Sequence, residues 1–248
     1  MRTTDDFRRI EVADPAALAL AAAERLTARL DANKGRIAVC LAGGSSPKQL
    51  YQLLATASWS KRIPWNRVHW FIGDERFVPN DHPLNNMRLA REIFLDRLAP
   101  ASHVHPIPTD AANPDESAHR YAETLQSFHG GPHLDPARPL FDVVLMGVGP
   151  DGHTASLFPN DPALLEAKRW AVGVAKAPVE PFVPRVTLTF PVLSSCREML
   201  FEVAGKEKHA ILMRLLAGEN LPANRARSVN ETILLVDQAA LGGEKRDR

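Results

Sequence analysis

The sequence predicts an α/β protein built on a mostly parallel sheet that is covered by helices on both faces. Apolar strand-like runs alternate with helix-like segments along almost the whole 248-residue chain. Glycine-rich turns follow two of these runs, at "LAGGSSP" and "GVGPDGH". In a sheet of this kind, ligands bind beyond the carboxyl ends of the strands, so these turns mark the expected binding edge.

The order of the elements follows from their local patterns. Asp14 is expected to cap a helix that has Pro15 in its first position and runs to about Leu30. Ser45 or Ser46 is the expected cap of a second helix, with Pro47 in its first turn. Further helices are predicted at 87–98, 114–128 and 206–218. Strands are predicted near 7–12, 35–44, 67–74, 103–108, 141–149, 170–175, 185–190, 198–203 and 232–236.

Composition limits the classes of function. Hydrophobic residues make up 45% of the chain, which is enough for a substantial core, and no linker or repeat is evident, so one domain over residues 1–248 is expected. Thirty basic and twenty-nine acidic residues give a formal charge of +1, which argues against nucleic acid or an acidic membrane surface as a partner. No apolar run approaches the roughly 18 residues of a membrane span. Cys40 and Cys196 lie in apolar runs without metal-ligand spacing, which favours buried thiols and a cytoplasmic location.

One strand-to-helix turn is a candidate for ligand binding. At Gly43, Gly44 and Ser45, glycines would let backbone N–H groups approach an anion at the positive end of a helix. The same glycine pair is equally consistent with a turn that serves only backbone geometry. The segment is neither a Walker A motif nor a dinucleotide fingerprint.

Charged residues follow two other strands. Asp74, Glu75 and Arg76 stand at the carboxyl end of a predicted strand, where either a ligand crevice or a solvated loop with local ion pairs would account for them. Gly149-Pro150-Asp151-Gly152 fits a type I turn that projects Asp151 and His153 from the next strand end. A neutral imidazole can take a proton from water near pH 7, and a carboxylate can orient it.

Two later cations complete the set of candidates. Arg185 begins the strand "RVTLTF", and Lys206 begins the helix "KEKHAILMRLL". A lysine at a helix N-terminus opposes the dipole preference, a conflict that an anionic ligand would relieve. An ordinary exposed lysine is the alternative.

These segments, in this order, resemble the 6-phosphogluconolactonases of the sugar-phosphate isomerase and deaminase superfamily. The most specific are "GDERFVPNDHPLNN" and "GVGPDGHTASLFP", supported by "LAGGSSP", "RVTLTFP" and "AGKEKHAIL". The resemblance implies a modified Rossmann-like sheet and a cytoplasmic hydrolase of the pentose phosphate pathway, without metal or cofactor, that opens 6-phospho-D-glucono-1,5-lactone to 6-phosphogluconate.

The resemblance also assigns roles to residues. It implies that His153 is the general base, that Arg76 contacts the substrate, and that Gly43, Gly44 and Ser45 hold the phosphate with Arg185 and Lys206. The chain departs from the family pattern at Ser194, where an asparagine is usual; Ser195 or a neighbouring group is the expected compensation.

Lactone hydrolysis then needs an activated water, a stabilised oxyanion and a proton for the ring oxygen. His153 would deprotonate the water and return the proton, oriented by Asp151 or Asp74, a choice that the sequence leaves open. Arg76 or amides of the 147–152 turn would stabilise the oxyanion.

Three rival functions are weaker. A glucosamine-6-phosphate deaminase would follow its "DGH" turn with a glutamate for ring opening, whereas "HTASLFP" supplies no acid. A sugar-phosphate sensor joined to a DNA-binding module would need a helix-turn-helix or basic arm, and neither is evident. A dinucleotide oxidoreductase lacks its glycine fingerprint. The oligomeric state is left open, and a monomer is consistent with the sequence.

Overall fold

The computed structural model describes residues 7–44 and 46–243, so Ser45 lies outside the described residues. The strands are β1 (Arg8–Val12), β2 (Ile37–Leu41), β3 (Val68–Ile72), β4 (Asp74–Arg76), β5 (Phe141–Met146), β6 (Ala171–Val174), β7 (Arg185–Leu188), β8 (Cys196–Val203) and β9 (Glu231–Asp237). The α-helices are α1 (Pro15–Ala32), α2 (Lys48–Leu54), α3 (Ala57–Ser60), α4 (Asn86–Ala90), α5 (Asp96–Leu98), α6 (Pro114–His129), α7 (Phe190–Ser194) and α8 (His209–Leu216). A π-helical segment, Arg91–Leu95, joins α4 to α5.

Six strands form a parallel sheet in the order β1-β9-β8-β5-β2-β3. All residues of β2 and β5 are buried, as expected for central strands that have neighbours on both sides and helices against them. The predicted α/β class with a mostly parallel sheet is confirmed. The carboxyl ends of β2, β3 and β5 lie side by side and open onto the turns that carry the candidate residues.

Helix α1 illustrates how local sequence sets an element. The carboxylate of Asp14 accepts a hydrogen bond from the Ala17 amide at 2.9 Å, and Pro15 occupies the first turn, as predicted. Leu18, Ala22 and Leu26 recur at helical spacing and are buried against the sheet. The apolar face therefore docks the helix onto the strands.

A second, antiparallel sheet has the order β4-β7-β6. The sequence did not predict β4, because three charged residues carry no apolar alternation and their pairing with β7 is a long-range contact. This strand turns the chain away from the main sheet directly after β3. It places the Asp74–Arg76 segment beside Arg185, in the register Arg76 opposite Arg185.

Two local predictions are wrong. The strand expected near 103–108 is reduced to a single bridge between Trp70 and Val104, because Pro106 and Pro108 lack the amide hydrogens that a ladder needs. Ser46 does not cap α2: Pro47 occupies the N-cap position, and no side chain makes a capping hydrogen bond there. Within the described residues, no helix is both long enough and apolar enough to cross a lipid bilayer.

Candidate active site

A cleft of about 210 Å³ opens at the carboxyl ends of β2, β3 and β5. Its walls come from the glycine turn after β2, the segment after β3, the turn after β5 and the loop before β7. The predicted site residues that line it are Gly43, Gly44, Asp74, Arg76, His153 and Arg185. The topology thus brings distant segments of the chain to one edge of the sheet, as the rule for open parallel sheets predicts.

The turn after β5 holds His153 against Asp151. The Gly152 amide donates to the Gly149 carbonyl at 3.0 Å and closes the turn, and Gly152 has a φ of +89°, which glycine adopts without strain. The Asp151 Oδ1 atom accepts from the His153 amide at 3.1 Å and lies 2.5 Å from the imidazole Nδ1. The question of which aspartate contacts the histidine is thereby answered in favour of Asp151.

The hydrogen bond fixes the imidazole tautomer. Burial by itself would raise the pKa of Asp151, but the hydrogen bonds and charge of His153 outweigh it, so this pKa lies below its usual value. An ionised carboxylate only accepts, so Nδ1 carries the hydrogen. Nε2 is left with its lone pair, and no described residue hydrogen-bonds to it. The ring also packs on Phe158, with ring centroids 4.7 Å apart.

At two positions in the cleft only glycine fits, because a side chain packs directly against the backbone there. A Cβ on Gly149 would lie 2.0 Å from the Cε1 atom of His153, and one on Gly43 would lie 2.1 Å from the side chain of Asn86. Any larger residue at position 149 would push the imidazole out of its place. The turn sequence therefore serves the position of this ring directly.

Asp74 and Glu75 contact residues of the cleft wall and do not contact His153. Asp74 Oδ2 accepts from the Ser156 hydroxyl at 2.5 Å. The buried Glu75 carboxylate accepts the amides of Arg76, Asn86 and Met87 at 2.8, 2.6 and 2.9 Å and so caps α4. Burial raises the pKa of Glu75 to about 7, and the three amides oppose that rise.

Arg185 and Arg76 place two like charges opposite each other across β4 and β7. Arg185 is 4% exposed and donates from Nη2 to the Pro181 carbonyl at 2.8 Å, while Arg76 donates from Nη1 to the Leu84 carbonyl at 2.8 Å. Burial, and then the charge of Arg76, lowers the pKa of Arg185. An anion between the two guanidinium groups would relieve this repulsion.

The lysine in the cleft is Lys208, not Lys206. Lys206 is exposed and does not line the cleft, because the chain enters a 3-10 turn (Lys206–Lys208) directly after Gly205, and residues two apart in such a turn project to different sides. Lys208 donates from Nζ to the Val148 carbonyl at 2.7 Å, and burial lowers its pKa, a shift that Glu207 opposes. Only Lys206 was predicted from the sequence, and Lys208, two residues later, was missed.

Other residues were either missed or lie elsewhere. Asn86, Ser156 and Glu180 line the cleft and were not among the candidates. Ser194 ends α7, and the Ser195 hydroxyl accepts from the Leu140 amide at 3.0 Å, which places both serines at the amino end of β5, away from the cleft. Ser195 therefore does not compensate there for the missing asparagine. In the described part of the chain, no cluster of three or more His, Cys, Asp or Glu side chains is arranged to hold a metal.

Comparisons with known proteins show the family to which the chain belongs. The family model described as glucosamine-6-phosphate isomerases/6-phosphogluconolactonase matches residues 13–235. The chain belongs to this family of sugar-phosphate proteins.

Within the family, the chain is similar to proteins named 6-phosphogluconolactonase. It is 39% identical over 215 residues to a 6-phosphogluconolactonase of Synechocystis, covering 84% of this chain and 85% of the relative, and 38% identical to one of Rattus norvegicus, covering 84% and 80%. The crystal structure of the Thermotoga maritima 6-phosphogluconolactonase superposes with a TM-score of 0.79 at 30% identity, over 92% of this chain and 98% of that one. A monomeric glucosamine-6-phosphate deaminase has the same fold, with a TM-score of 0.78 at 19% identity over 95% of this chain and 99% of that one.

Proposed function

We propose that this chain hydrolyses 6-phospho-D-glucono-1,5-lactone to 6-phosphogluconate, with water as the nucleophile. The observation that carries the proposal is the His153–Asp151 pair at one wall of a cleft whose other walls carry Arg76, Arg185 and Lys208. A base and a set of cations in one cleft suit an ester that bears a phosphate.

His153 acts as the general base. With Nδ1–H donated to Asp151, the lone pair of Nε2 is free to take a proton from water as the water oxygen attacks the lactone carbonyl. The ionised Asp151 stabilises the imidazolium that results. The imidazolium then gives its proton to the ring oxygen as the carbon–oxygen bond breaks, which leaves a hydroxyl and a carboxylic acid; the acid then releases its proton to solvent and becomes the carboxylate.

Arg76 stabilises the oxyanion. The amides of Gly149 and Gly152 already donate within the turn, to the carbonyls of His153 and Gly149, so they are not free for this role. Arg76 uses one N–H for the Leu84 carbonyl and retains further donors. A well-placed donor of this kind contributes roughly 2.7 to 4 kcal/mol in a well-studied protease.

Arg185 and Lys208 hold the phosphate, with the Gly43–Gly44 turn beside them. Arg185 is buried with one carbonyl partner for its guanidinium, and Lys208 has two donors beyond its bond to Val148. Anchoring the phosphate positions the lactone over His153, so the binding energy is used for geometry.

The substrate, the cysteines and the net charge indicate where the reaction takes place and what the protein binds. A phosphorylated substrate does not cross a bilayer readily, and the two cysteines are free and buried, which together support a cytoplasmic location. The formal charge of +1 supports a small-molecule partner rather than nucleic acid. The cleft draws residues from across the chain, which supports one domain over residues 1–248.

The test is hydrolysis of freshly generated lactone, followed against a blank because lactones open spontaneously. We expect acceleration by the wild-type protein and a loss of about a hundredfold or more in His153→Ala. The matched control is His119→Ala, since His119 is an exposed histidine on α6. No acceleration above the blank, or turnover of glucosamine 6-phosphate in its place, would refute the proposal.

A further inference from the structure

A second cavity, of about 220 Å³, lies at the opposite edge of the main sheet from the cleft. Arg36 and Leu140, which line it, directly precede β2 and β5, and Arg197 is the second residue of β8. The cavity therefore lies at the amino ends of the strands. The length of the strands separates it from His153.

Positive charge predominates in this cavity. Arg36, Arg138 and Arg197 line it, and Asp142 is the one acid among its described lining residues. The Asp142 carboxylate accepts from the Asn33 side chain and the Ala38 amide, each at 2.9 Å, and lies 3.6 Å from the Arg197 Nε atom. Three cations against one anion leave an excess of two positive charges.

Arg36 and Arg138 are not ion-paired with any acid among the described residues. Arg36 donates to the Phe128 carbonyl and its guanidinium lies 3.8 Å above the Phe128 ring, contacts that leave its charge uncompensated. The guanidinium of Arg138 has no hydrogen-bond or ion-pair partner within residues 7–44 and 46–243.

The backbone around Arg138 is nevertheless fixed. Its amide donates to the Asp135 carbonyl at 2.9 Å, and its carbonyl accepts from Nε2 of the buried His129 at 3.2 Å. The other ring nitrogen of His129 is buried and has no hydrogen-bond partner in the described part of the chain. The site thus combines a held backbone, unpaired cationic donors and a polar wall.

We propose that this cavity binds a phosphate dianion, either as inorganic phosphate or as the phosphate group of a small ester. The two negative charges match the excess of the three arginines, whereas a single carboxylate would leave one positive charge uncompensated. Guanidinium groups bind phosphate oxygens through paired N–H donors, and the inference does not depend on the reaction in the cleft.

The test is an NMR titration of the isotope-labelled protein with inorganic phosphate and, separately, with glycerol phosphate. The indole N–H of Trp170 is the reporter, because it donates to the Pro132 carbonyl at 3.1 Å and its ring centroid lies 5.7 Å from that of His129. Its signal is assigned with Trp170→Phe. Saturation by both probes assigns the site to phosphate esters, and saturation by inorganic phosphate alone assigns it to the free ion.

Variants separate this cavity from the cleft. We expect Arg138→Ala, a change at an exposed side chain, to raise the dissociation constant for phosphate about tenfold. Arg185→Ala, which alters the cleft, and Arg91→Ala, a control at an exposed ion pair with Asp96, should leave it unchanged. The absence of a saturable Trp170 shift, an unchanged constant in Arg138→Ala, or loss of binding in Arg185→Ala would each overturn the proposal.

Discussion

The Asp151 carboxylate lies 2.5 Å from Nδ1 of His153 and also accepts the backbone amide of the same residue. This double contact fixes both the tautomer and the ring orientation. We expect Asp151→Asn to lower kcat by about a hundredfold to ten-thousandfold with a small effect on KM, because the neutral amide no longer stabilises the imidazolium. Steady-state kinetics measure this, with Asp110→Asn as an exposed control. An unchanged kcat would remove Asp151 from the mechanism.

Gly149→Ala tests the close approach of backbone and imidazole. The added methyl group would lie 2.0 Å from the ring, so the ring must move. We expect a fall in kcat of about a hundredfold and a circular dichroism spectrum like that of the wild type. Gly131→Ala is the matched control, since a Cβ there meets nothing within 4 Å. Wild-type activity in Gly149→Ala would show that catalysis does not depend on this position of the His153 imidazole.

The pair Lys208→Ala and Lys206→Ala separates the cleft lysine from its exposed neighbour. Lys208 lines the cleft and Lys206 does not. We expect Lys208→Ala to raise KM about tenfold with a smaller change in kcat, because phosphate anchoring is lost, and Lys206→Ala to behave as the wild type. A raised KM in Lys206→Ala with wild-type kinetics in Lys208→Ala would show that Lys206 is the lysine that contacts the phosphate.

His69 on β3 stacks on His103 and on His105, and these rings predict a loss of stability in acid. Burial first, and then the charges of His103 and Arg36, lower the pKa of His69 and of His105 to about 4 from 6.5. The unfolded chain therefore binds more protons between these values, so stability present above pH 6.5 is lost as the pH falls toward 4.

The loss is on the order of 1–2 kcal/mol for the two rings together, because both are partly exposed and solvent screens their charges. Denaturant unfolding between these pH limits, compared in the wild type and in a His69→Gln, His105→Gln double variant, measures it. Equal pH slopes in the two proteins would contradict the assignment.

Glu202 on β8 predicts the opposite dependence. It is 2% exposed, neither of its carboxyl oxygens has a partner among the described residues, and burial raises its pKa to about 8 from 4.5. The folded state then holds the extra proton, so stability is lost as the pH rises from 4.5 toward 8. We expect Glu202→Gln to raise Tm by roughly 5 °C at pH 8 and much less at pH 5. Thermal unfolding at both pH values is the measurement, and an equal change at both would exclude titration of Glu202 as the cause.

Much of the fold could be read from local pattern. Helix α1 has its cap, its proline and its apolar face within one continuous segment, and β2 and β5 are short apolar runs followed by glycine turns. The turn that presents His153 is equally local. These features depend on neighbours in sequence, and so the sequence predicts them.

What the sequence left open depends on distant contacts. The strand β4 exists because it pairs with β7, and the sequence could not exclude Asp74 as the partner of His153 because the hydrogen bond from Ser156 to Asp74 is a long-range contact. Lys206 was predicted in place of Lys208 because the helical pattern does not show where the short 3-10 turn begins. None of these features can be predicted from the local pattern of apolar and polar residues.

The pairing of β1 with β9 has a consequence for synthesis of the protein. Strand β1 (Arg8–Val12) lies at the edge of the sheet and adds to β9 (Glu231–Asp237), which is made much later than β1. During translation, β1 stays unpaired until β9 has left the ribosome, and β8 meanwhile presents an open edge. Completion of this sheet is thus a late, long-range step, and the nascent chain is most exposed to aggregation just before residue 231 emerges.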